Sequence, residues 1–350
     1  MKIVHFAPFA PAGCGMYEAA RDMAVADMQA GHKVHIVDVG STLTQGGTYI
    51  PGEVGKVDER GGTRVVSASP DEVWNADVII AHTGMQDNWI APCQAPIVLI
   101  MHGRPRACFA PEYAGAGHSY SLMANWAKWP RIKSFVTFWP YHMKFWEVII
   151  PKEKLVCLPA PPIDGKRFSS EGATHDYGVM GGRINIMIAE SWREDVDTYE
   201  ITHGAIELSK SMPDVKFHFY GMESPLKCWD YLIAELRRLG TLGELWARVP
   251  GIEVNIRAAD ILLSPQKIVT RSIGEALCCG VPVIAARGCE YATWTANTDE
   301  PEDVAETLKR AINDLDNDPH RVECQVALAA SAFSLTKYSS YMDELYKRII

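Results

Sequence analysis

Two glycines lie between the first apolar strand and the first helix that the sequence predicts. The segment is AGCGM at positions 12–16, and it follows a strand pattern at Lys2–Ala7. Glycine lets the backbone approach a ligand closely, and the N–H groups at a helix N-terminus attract an anion. Gly13, Cys14 and Gly15 are therefore candidate ligand-binding residues. The third glycine of a dinucleotide-binding fingerprint is missing, which disfavours an NAD site.

A second segment that could bind an anion lies in the C-terminal half. An apolar strand pattern at Asp260–Ser264 ends at Pro265, and a helix is predicted at about Ser272–Cys279. Another strand pattern follows at Val281–Ala285. Because the N-terminus of a helix carries unpaired N–H groups, the start of this helix is a second position where negative charge can be stabilised.

The run EALCCGVPVI from Glu275 to Ile284 closely resembles the E-A-x-x-x-G-x-P-V-I signature of retaining GT-B glycosyltransferases. In that glycosyltransferase 4-like superfamily, a strand ending in proline precedes the signature helix, as it does here. Further matches follow the same order along the chain. They are the glycine loop at Gly13–Gly15, AGHKV at 30–34, HG at 102–103, and PID at 162–164 followed by RF at 167–168. The resemblance covers nearly the whole chain.

The resemblance implies a hexosyl- or pentosyltransferase that takes its sugar from a nucleotide diphosphate donor, with a UDP-sugar as the expected co-substrate. It also implies retention of the anomeric configuration, and neither a metal ion nor another cofactor. The bond to the sugar breaks with oxocarbenium character. Charge on the leaving diphosphate must therefore be stabilised by cations and helix N-termini.

The resemblance also assigns roles to individual residues. Glu275 matches the glutamate that accepts hydrogen bonds from the ribose hydroxyls, and an ordinary exposed helix glutamate is the alternative. Arg271 and Ser272 would begin the helix and bind the diphosphate together with Arg193, since a guanidinium is a rigid bidentate donor. His102 matches the histidine that touches the transferred sugar, and a buried histidine bonded to backbone is the alternative. The predicted catalytic residues are His102, Arg193 and Glu275.

Two positions depart from the superfamily pattern. Lys267 stands eight residues before Glu275, where a second glutamate is usual, and Ala189-Glu190 stand where Gly-Arg is expected. Arg193 or Lys267 would have to substitute for the missing arginine, so Lys267 joins the predicted donor-binding residues. These departures leave open a function of another class, a GT-B scaffold that binds a nucleotide sugar without catalysis.

The acceptor is expected to bind the N-terminal half of the chain. Residues 100–165 carry eight basic and four acidic side chains, together with four tryptophans. Basic side chains interleaved with aromatic ones can neutralise phosphates and stack on bases. The candidate acceptor-binding residues are Arg104, Arg106, Lys128 and Trp129. The alternative is a set of core tryptophans beside a solvated basic face.

The glycine loop and the segment from Arg271 to Val283 also resemble bacteriophage DNA glucosyltransferases, which glycosylate hydroxymethylated cytosine. Modified duplex DNA is therefore one hypothesis for the acceptor, with the host cytoplasm as the location. A glycan or small-molecule acceptor of bacterial type is an alternative. An epimerase or oxidoreductase with similar domains is an alternative of a different class. The net charge of −9 argues against non-specific coating of nucleic acid or anionic membrane.

The elements that hold these residues alternate between short apolar strands and helices, which predicts an α/β fold with parallel, doubly wound sheets. A chain of 350 residues suits two Rossmann-like domains facing a cleft, the GT-B arrangement. The expected acceptor domain is 1–165, joined by a C-terminal helix at 337–350 that crosses back to it. The expected donor domain is 166–336. Residues 40–62 are predicted to be a loop or insertion.

The composition, with 47% hydrophobic and 22% charged residues, is typical of a soluble globular protein. No apolar run approaches the roughly 20 residues that a membrane span needs. The N-terminus resembles a strand rather than a signal peptide, so a cytoplasmic protein without membrane insertion is expected. The nine cysteines form no CxxC pair and are expected to be reduced thiols.

Overall fold

The computed structural model describes residues 1–7, 15–38, 57–60, 63–66, 75–82, 94–102, 120–190, 198–221, 229–247 and 249–350. The chain divides into two compact units. One comprises Met1–Asp164 with Ser334–Ile350, and the other comprises Gly165–Phe333. None of the described helices is both long enough and apolar enough to cross a membrane.

The described strands, in chain order, are β1 (Lys2–Ala7), β2 (Lys33–Asp38), β3 (Val57–Arg60), β4 (Thr63–Val66), β5 (Val78–Ala81), β6 (Ile97–Ile100), β7 (Ile132–Thr137), β8 (Leu155–Cys157), β9 (Ile184–Ala189), β10 (Val215–Tyr220), β11 (Leu242–Trp246), β12 (Ile261–Leu263), β13 (Val283–Ala286) and β14 (Trp294–Ala296). The described α-helices are α1 (Gly15–Gln29), α2 (Tyr120–Lys128), α3 (Pro140–Trp146), α4 (Thr198–Ser209), α5 (Asp230–Leu239), α6 (Ile252–Arg257), α7 (Arg271–Cys278), α8 (Pro301–Asn317), α9 (Pro319–Ala330) and α10 (Leu335–Ile349).

The N-terminal unit is built on a six-stranded parallel sheet with the order β2-β1-β5-β6-β7-β8. Every residue of β5 and β6 is buried, as expected for strands that are covered on both faces. The C-terminal helix α10 packs on α1, and its residues Met342 and Tyr346 join the same core cluster as Met23. The predicted return of the C-terminal helix to the N-terminal unit is thus confirmed.

The C-terminal unit has a second six-stranded parallel sheet, with the order β11-β10-β9-β12-β13-β14. The central strands β9 and β12 end at Ala189 and Leu263, so the residues that follow them emerge at one edge of the sheet. Helix α7 follows β12 and therefore begins at that same edge, as helices in parallel β-α-β units do. The predicted α/β fold with two parallel sheets is confirmed.

The segment predicted to be a loop at residues 40–62 contains one strand, which corrects the expectation for its last part. Strand β3 pairs with β4 in an antiparallel hairpin, with Val57 opposite Val66 and Arg60 opposite Thr63. Strand β4 belongs to this hairpin and not to the parallel sheet. The two glycines between the strands explain the difference, because a two-residue glycine linker favours a tight hairpin turn.

Candidate functional site

A buried carboxylate lies at the carboxyl edge of the C-terminal sheet. Glu190 directly follows β9, and Ser264 directly follows β12. Oε1 of Glu190 accepts a hydrogen bond from Ser264 Oγ at 2.7 Å, and Oε2 accepts one from Gln266 Nε2 at 3.1 Å. Both oxygens are therefore held in place in the position where the sequence resemblance led us to expect Gly-Arg.

Helix α7 presents an arginine–glutamate pair across its first two turns. Nε of Arg271 lies 2.6 Å from Oε1 of Glu275, and the two side chains are only 10% and 11% exposed. The Arg271 guanidinium also lies 5.7 Å from the centroid of the Phe168 ring, beside Arg167 at 4.8 Å from the same ring. The burial of Glu275 removes the alternative of an ordinary exposed helix glutamate.

The two other predicted donor residues of this segment differ in exposure. Ser272 Oγ is hydrogen-bonded to Thr270 Oγ1 at 3.0 Å, at the start of α7. Lys267 is 61% exposed, and its Nζ lies 4.0 Å from Oδ2 of the equally exposed Asp299. An ion pair this exposed contributes little free energy, so Lys267 can exchange Asp299 for an anionic ligand.

In the N-terminal unit, His102 stands at the carboxyl end of the sheet, two residues after β6. Nε2 of His102 lies 2.9 Å from Nδ1 of His82, which directly follows β5. Nε2 of His82 in turn lies 2.9 Å from Nδ1 of His5 in β1, and Nε2 of His5 lies 2.8 Å from Oδ2 of Asp27 in α1. The sheet order β1-β5-β6 brings these histidines together from three neighbouring strands.

Burial governs the protonation of the middle histidine. His82 is fully buried, and burial lowers its pKa well below the ordinary value of 6.5, with His5 and His102 adding to the effect. His82 therefore stays a neutral imidazole, with one ring nitrogen protonated and the other a hydrogen-bond acceptor.

The remaining predicted site residues are either exposed, partly buried against the core, or outside the part of the chain that the structure describes. Gly15 is the exposed first residue of α1, whereas Gly13, Cys14, Arg104, Arg106 and Arg193 lie outside the described residues. Lys128 is exposed at the end of α2. Trp129 is partly buried and packs against the core of the N-terminal unit.

The tryptophans of the basic stretch are mostly structural. Trp126 and Trp146 are 2% and 3% exposed and belong to the hydrophobic core under β6 and β7. For these two residues the structure supports the alternative of core tryptophans, because the apolar faces of α2 and α3 need large side chains to cover the sheet. Lys133 and Lys144 remain exposed and keep the stretch basic.

Sequence reasoning missed a polar cluster at the β10–β11 edge of the C-terminal sheet. Glu244 accepts hydrogen bonds from Trp246 Nε1 at 2.8 Å and Tyr220 Oη at 3.3 Å, and it lies 3.0 Å from Nε2 of His175. Burial alone would raise the pKa of Glu244, but the bonds from His175 and Trp246 outweigh it and leave the pKa lowered. These residues are spread over 70 positions without a motif, so only the strand pairing could have revealed them. Among the described residues, no three potential ligands are arranged to hold a metal ion.

Solved structures share this fold over the full length of the chain. A glycosyltransferase from Rickettsia africae ESF-5 is 14% identical, with 99% of this chain and 98% of that chain covered at a TM-score of 0.67. Anabaena HepE, solved with UDP and glucose, is 16% identical, with 99% and 100% covered at a TM-score of 0.66. The pneumococcal O-GlcNAc transferase GtfA, solved with UDP and GlcNAc, is 10% identical, with 100% and 99% covered at a TM-score of 0.62.

These likenesses show that the chain has the GT-B fold. No protein-family model matches the chain, and no curated protein matches its sequence significantly. The fold predicted from the separated motifs is therefore confirmed by the structural comparison, at sequence identities of 10–16%.

Proposed function

We propose that this chain is a glycosyltransferase that moves a sugar from a UDP-sugar to an acceptor hydroxyl. The observation that carries the proposal is the buried pair of Arg271 and Glu275 at the start of α7. It lies in the signature segment of a chain whose fold is shared with proteins crystallised with UDP. Because burying two charges costs desolvation free energy, a buried ion pair in the signature segment supports a binding role for its members.

The pair suits the two polar parts of a nucleotide diphosphate. The carboxylate of Glu275 can accept hydrogen bonds from two adjacent ribose hydroxyls, which are strong because the acceptor is charged. Arg271 and the N-terminal N–H groups of α7, next to Ser272, can bind the diphosphate. Because Arg271 is already oriented by Glu275, little side-chain entropy is lost when the donor binds.

Positive charge without a metal ion would stabilise the leaving UDP. Arg271 and the α7 N-terminus supply part of it, and Lys267 and Arg193 are proposed to supply the rest. Glu190 would repel a diphosphate, so we place the phosphates toward Arg271 and the hydroxyls of the donor toward Glu190. A metal-independent reaction keeps its rate in excess EDTA. A loss of rate that Mn²⁺ or Mg²⁺ restores would contradict this part of the proposal.

The transferred sugar is proposed to contact His102, and transfer is proposed to retain the anomeric configuration. Both statements rest on the sequence resemblance and on the position of His102 at the carboxyl edge of its sheet. The configuration of the product is read directly from the coupling constant of its anomeric proton in an NMR spectrum. An inverted anomer would exclude retention and leave the transferase proposal intact.

We propose hydroxymethylated cytosine in duplex DNA as the acceptor of the sugar. Exposed Lys128, Lys133 and Lys144 support it, since they can neutralise phosphates together with Arg104 and Arg106. With Trp126 and Trp146 in the core, base stacking would be limited to the partly buried Trp129 and Trp139. The expected contact is therefore mainly electrostatic, and binding should weaken steeply as salt is raised.

Mass spectrometry tests donor and acceptor together. UDP-, GDP- and ADP-sugars are incubated with hydroxymethylcytosine DNA, unmodified DNA and simple glycans, each with the wild-type protein and with Glu275→Ala. The expected result is a mass increase of one sugar on an acceptor that only the wild type produces. Transfer to glycans alone would exclude the DNA acceptor. Donor binding without any transfer or hydrolysis would exclude the enzyme and favour a non-catalytic scaffold.

A further inference from the structure

We propose that Asp27, His5 and His82 are positioning residues that fix the protonated nitrogen of His102, so that Nδ1 of His102 acts as a hydrogen-bond acceptor. The protonation pattern follows from the hydrogen-bond geometry together with buried histidine rings that each carry a single proton. Its consequence for sugar transfer rests on the proposed function.

The residues form one continuous chain of hydrogen bonds into the core. Asp27, His5 and His82 are fully buried, and His102 is half-buried at the outer end. Each ring lies beside the next one, and the ring centroids are 5.2 Å apart both between His5 and His82 and between His82 and His102. Neither His5 nor His82 can turn to use its other nitrogen without breaking a buried hydrogen bond, and such a loss is costly.

The contacts of Asp27, at the buried end of the series, determine which atom donates and which accepts in each hydrogen bond. The hydroxyl of Tyr346 donates to both oxygens of Asp27, at 3.2 and 3.0 Å, so Asp27 acts as the acceptor toward α10. Asp27 also accepts from Nε2–H of His5, at 2.8 Å. This leaves Nδ1 of His5 as the acceptor for a proton on Nε2 of His82.

The same alternation continues to the outer end. With its proton on Nε2, the neutral ring of His82 has Nδ1 as its acceptor, and this nitrogen takes a hydrogen bond from Nε2–H of His102, at 2.9 Å. His102 is therefore an Nε2–H tautomer whose lone pair is on Nδ1. The low pKa of His82 agrees with a middle ring that carries a single proton.

A lone pair at Nδ1 selects its ligand by chemistry. It accepts a hydrogen bond from a hydroxyl and repels a carboxylate, which can only accept when ionised. The group of the transferred sugar expected to contact Nδ1 of His102 is therefore a hydroxyl rather than a carboxylate.

The direct test is the nitrogen spectrum of the ligand-free, full-length protein labelled with ¹⁵N-histidine. The chain has 11 histidines, so the signals of His102 are assigned by their loss in His102→Gln. The expected spectrum shows a protonated Nε2 and an unprotonated Nδ1 for His102 at neutral pH. A protonated Nδ1, whether in the other tautomer or in an imidazolium, would overturn the proposal.

The isosteric change Asp27→Asn tests whether the inner end sets the direction. Its amide oxygen can accept from Tyr346, which turns the amide N–H toward His5 and reverses each bond in the chain. We expect the His102 signals to move toward the Nδ1–H tautomer, whereas Tyr346→Phe keeps the carboxylate and the wild-type pattern. An unchanged His102 tautomer in a folded Asp27→Asn protein would also overturn the proposal. If this variant does not fold, the wild-type spectrum still decides.

Transfer kinetics separate this inference from the proposed function. We expect Asp27→Asn to lower kcat at least tenfold, with UDP affinity unchanged, because UDP is proposed to bind Glu275 in the other unit. The predicted tautomer in a protein that transfers no sugar would leave the inference standing and remove the proposed function. Sugar transfer by a protein whose His102 is protonated at Nδ1 would overturn the inference and leave the proposed function standing.

Discussion

Nε of Arg271 lies 2.6 Å from Oε1 of Glu275, one helical turn further along α7, and both side chains are largely buried. Each member neutralises the other, so breaking the pair by removing one leaves an uncompensated buried charge that costs about 3–5 kcal/mol. Substitutions that keep size and polarity are therefore better tests of ligand binding here than truncations. The pair at Arg167 and Glu253, 3.0 Å apart and 17% and 18% exposed, provides a matched control in the same unit.

The first prediction concerns the diphosphate. Arg271→Lys keeps the positive charge but loses the planar fork that binds phosphate in a bidentate manner. We expect the affinity for UDP to fall tenfold or more while the affinity for UMP changes less, as measured by calorimetry. Arg167→Lys should leave both affinities near the wild-type values. An equal loss for UDP and UMP would place Arg271 away from the terminal phosphate.

The second prediction is a pH dependence of stability. Burial is the main cause that lowers the pKa of His218 to about 4 from its ordinary value of 6.5. As the pH falls below 6.5, the unfolded chain takes up this proton before the folded chain does, so the free energy of unfolding decreases until about pH 4. The shift corresponds to about 3 kcal/mol.

We expect His218→Gln to flatten this part of the curve, measured by urea unfolding at a series of pH values. The variant also loses the hydrogen bonds to Asn185 and to the backbone N–H of Glu244, which lowers stability at every pH. Only the change in slope between pH 6.5 and 4 therefore tests the prediction. A wild-type slope in the variant would contradict it.

The third prediction concerns the packing of α4 on α8. A Cβ added at Gly204 would lie 2.5 Å from Cβ of Val304 and 3.0 Å from the carbonyl oxygen of Pro301. Gly204→Ala should therefore destabilise the C-terminal unit by about 1–3 kcal/mol, despite the higher helix propensity of alanine. Thermal unfolding measures the effect, and Val304→Ala in the same chain should recover part of the loss because it removes the Val304 Cγ1 atom, which also lies 2.5 Å from the added Cβ.

Gly165→Ala is the control for that experiment, because no atom lies within 4 Å of the added Cβ and the backbone is not in the left-handed region. We expect no loss of stability from it. A neutral Gly204→Ala would show that α4 and α8 can separate at little cost.

The sequence predicted the elements that carry the donor motif because those elements are strongly patterned. The helix expected at about Ser272–Cys279 is found as α7, and the signature run places Glu275 within it. No motif marks the region from 230 to 257, which contains α5, β11 and α6. The end of α5 carried a usable signal, since Gly240 adopts the left-handed conformation of a helix C-cap.

The histidine chain could not be predicted from the sequence. His5, His82 and His102 lie in three segments that meet only because β5 inserts between β1 and β6, and strand order is not encoded in local pattern. No sequence motif marks His82, and its contact with His102 underlies the positioning role that we propose for it. The role of Glu190 was likewise hidden, because its partners Ser264 and Gln266 are more than 70 positions away.

The most direct test of the proposed donor site is calorimetric titration of UDP into the wild type, Glu275→Gln and the control Glu253→Gln. Replacing the carboxylate by an amide weakens hydrogen bonds from the ribose, which are worth about 1.5–3 kcal/mol when the acceptor is charged. We predict that Glu275→Gln raises the Kd for UDP by roughly 10- to 150-fold, while Glu253→Gln matches the wild type. An unchanged affinity in a folded Glu275→Gln protein would contradict the assignment of Glu275 to the nucleotide.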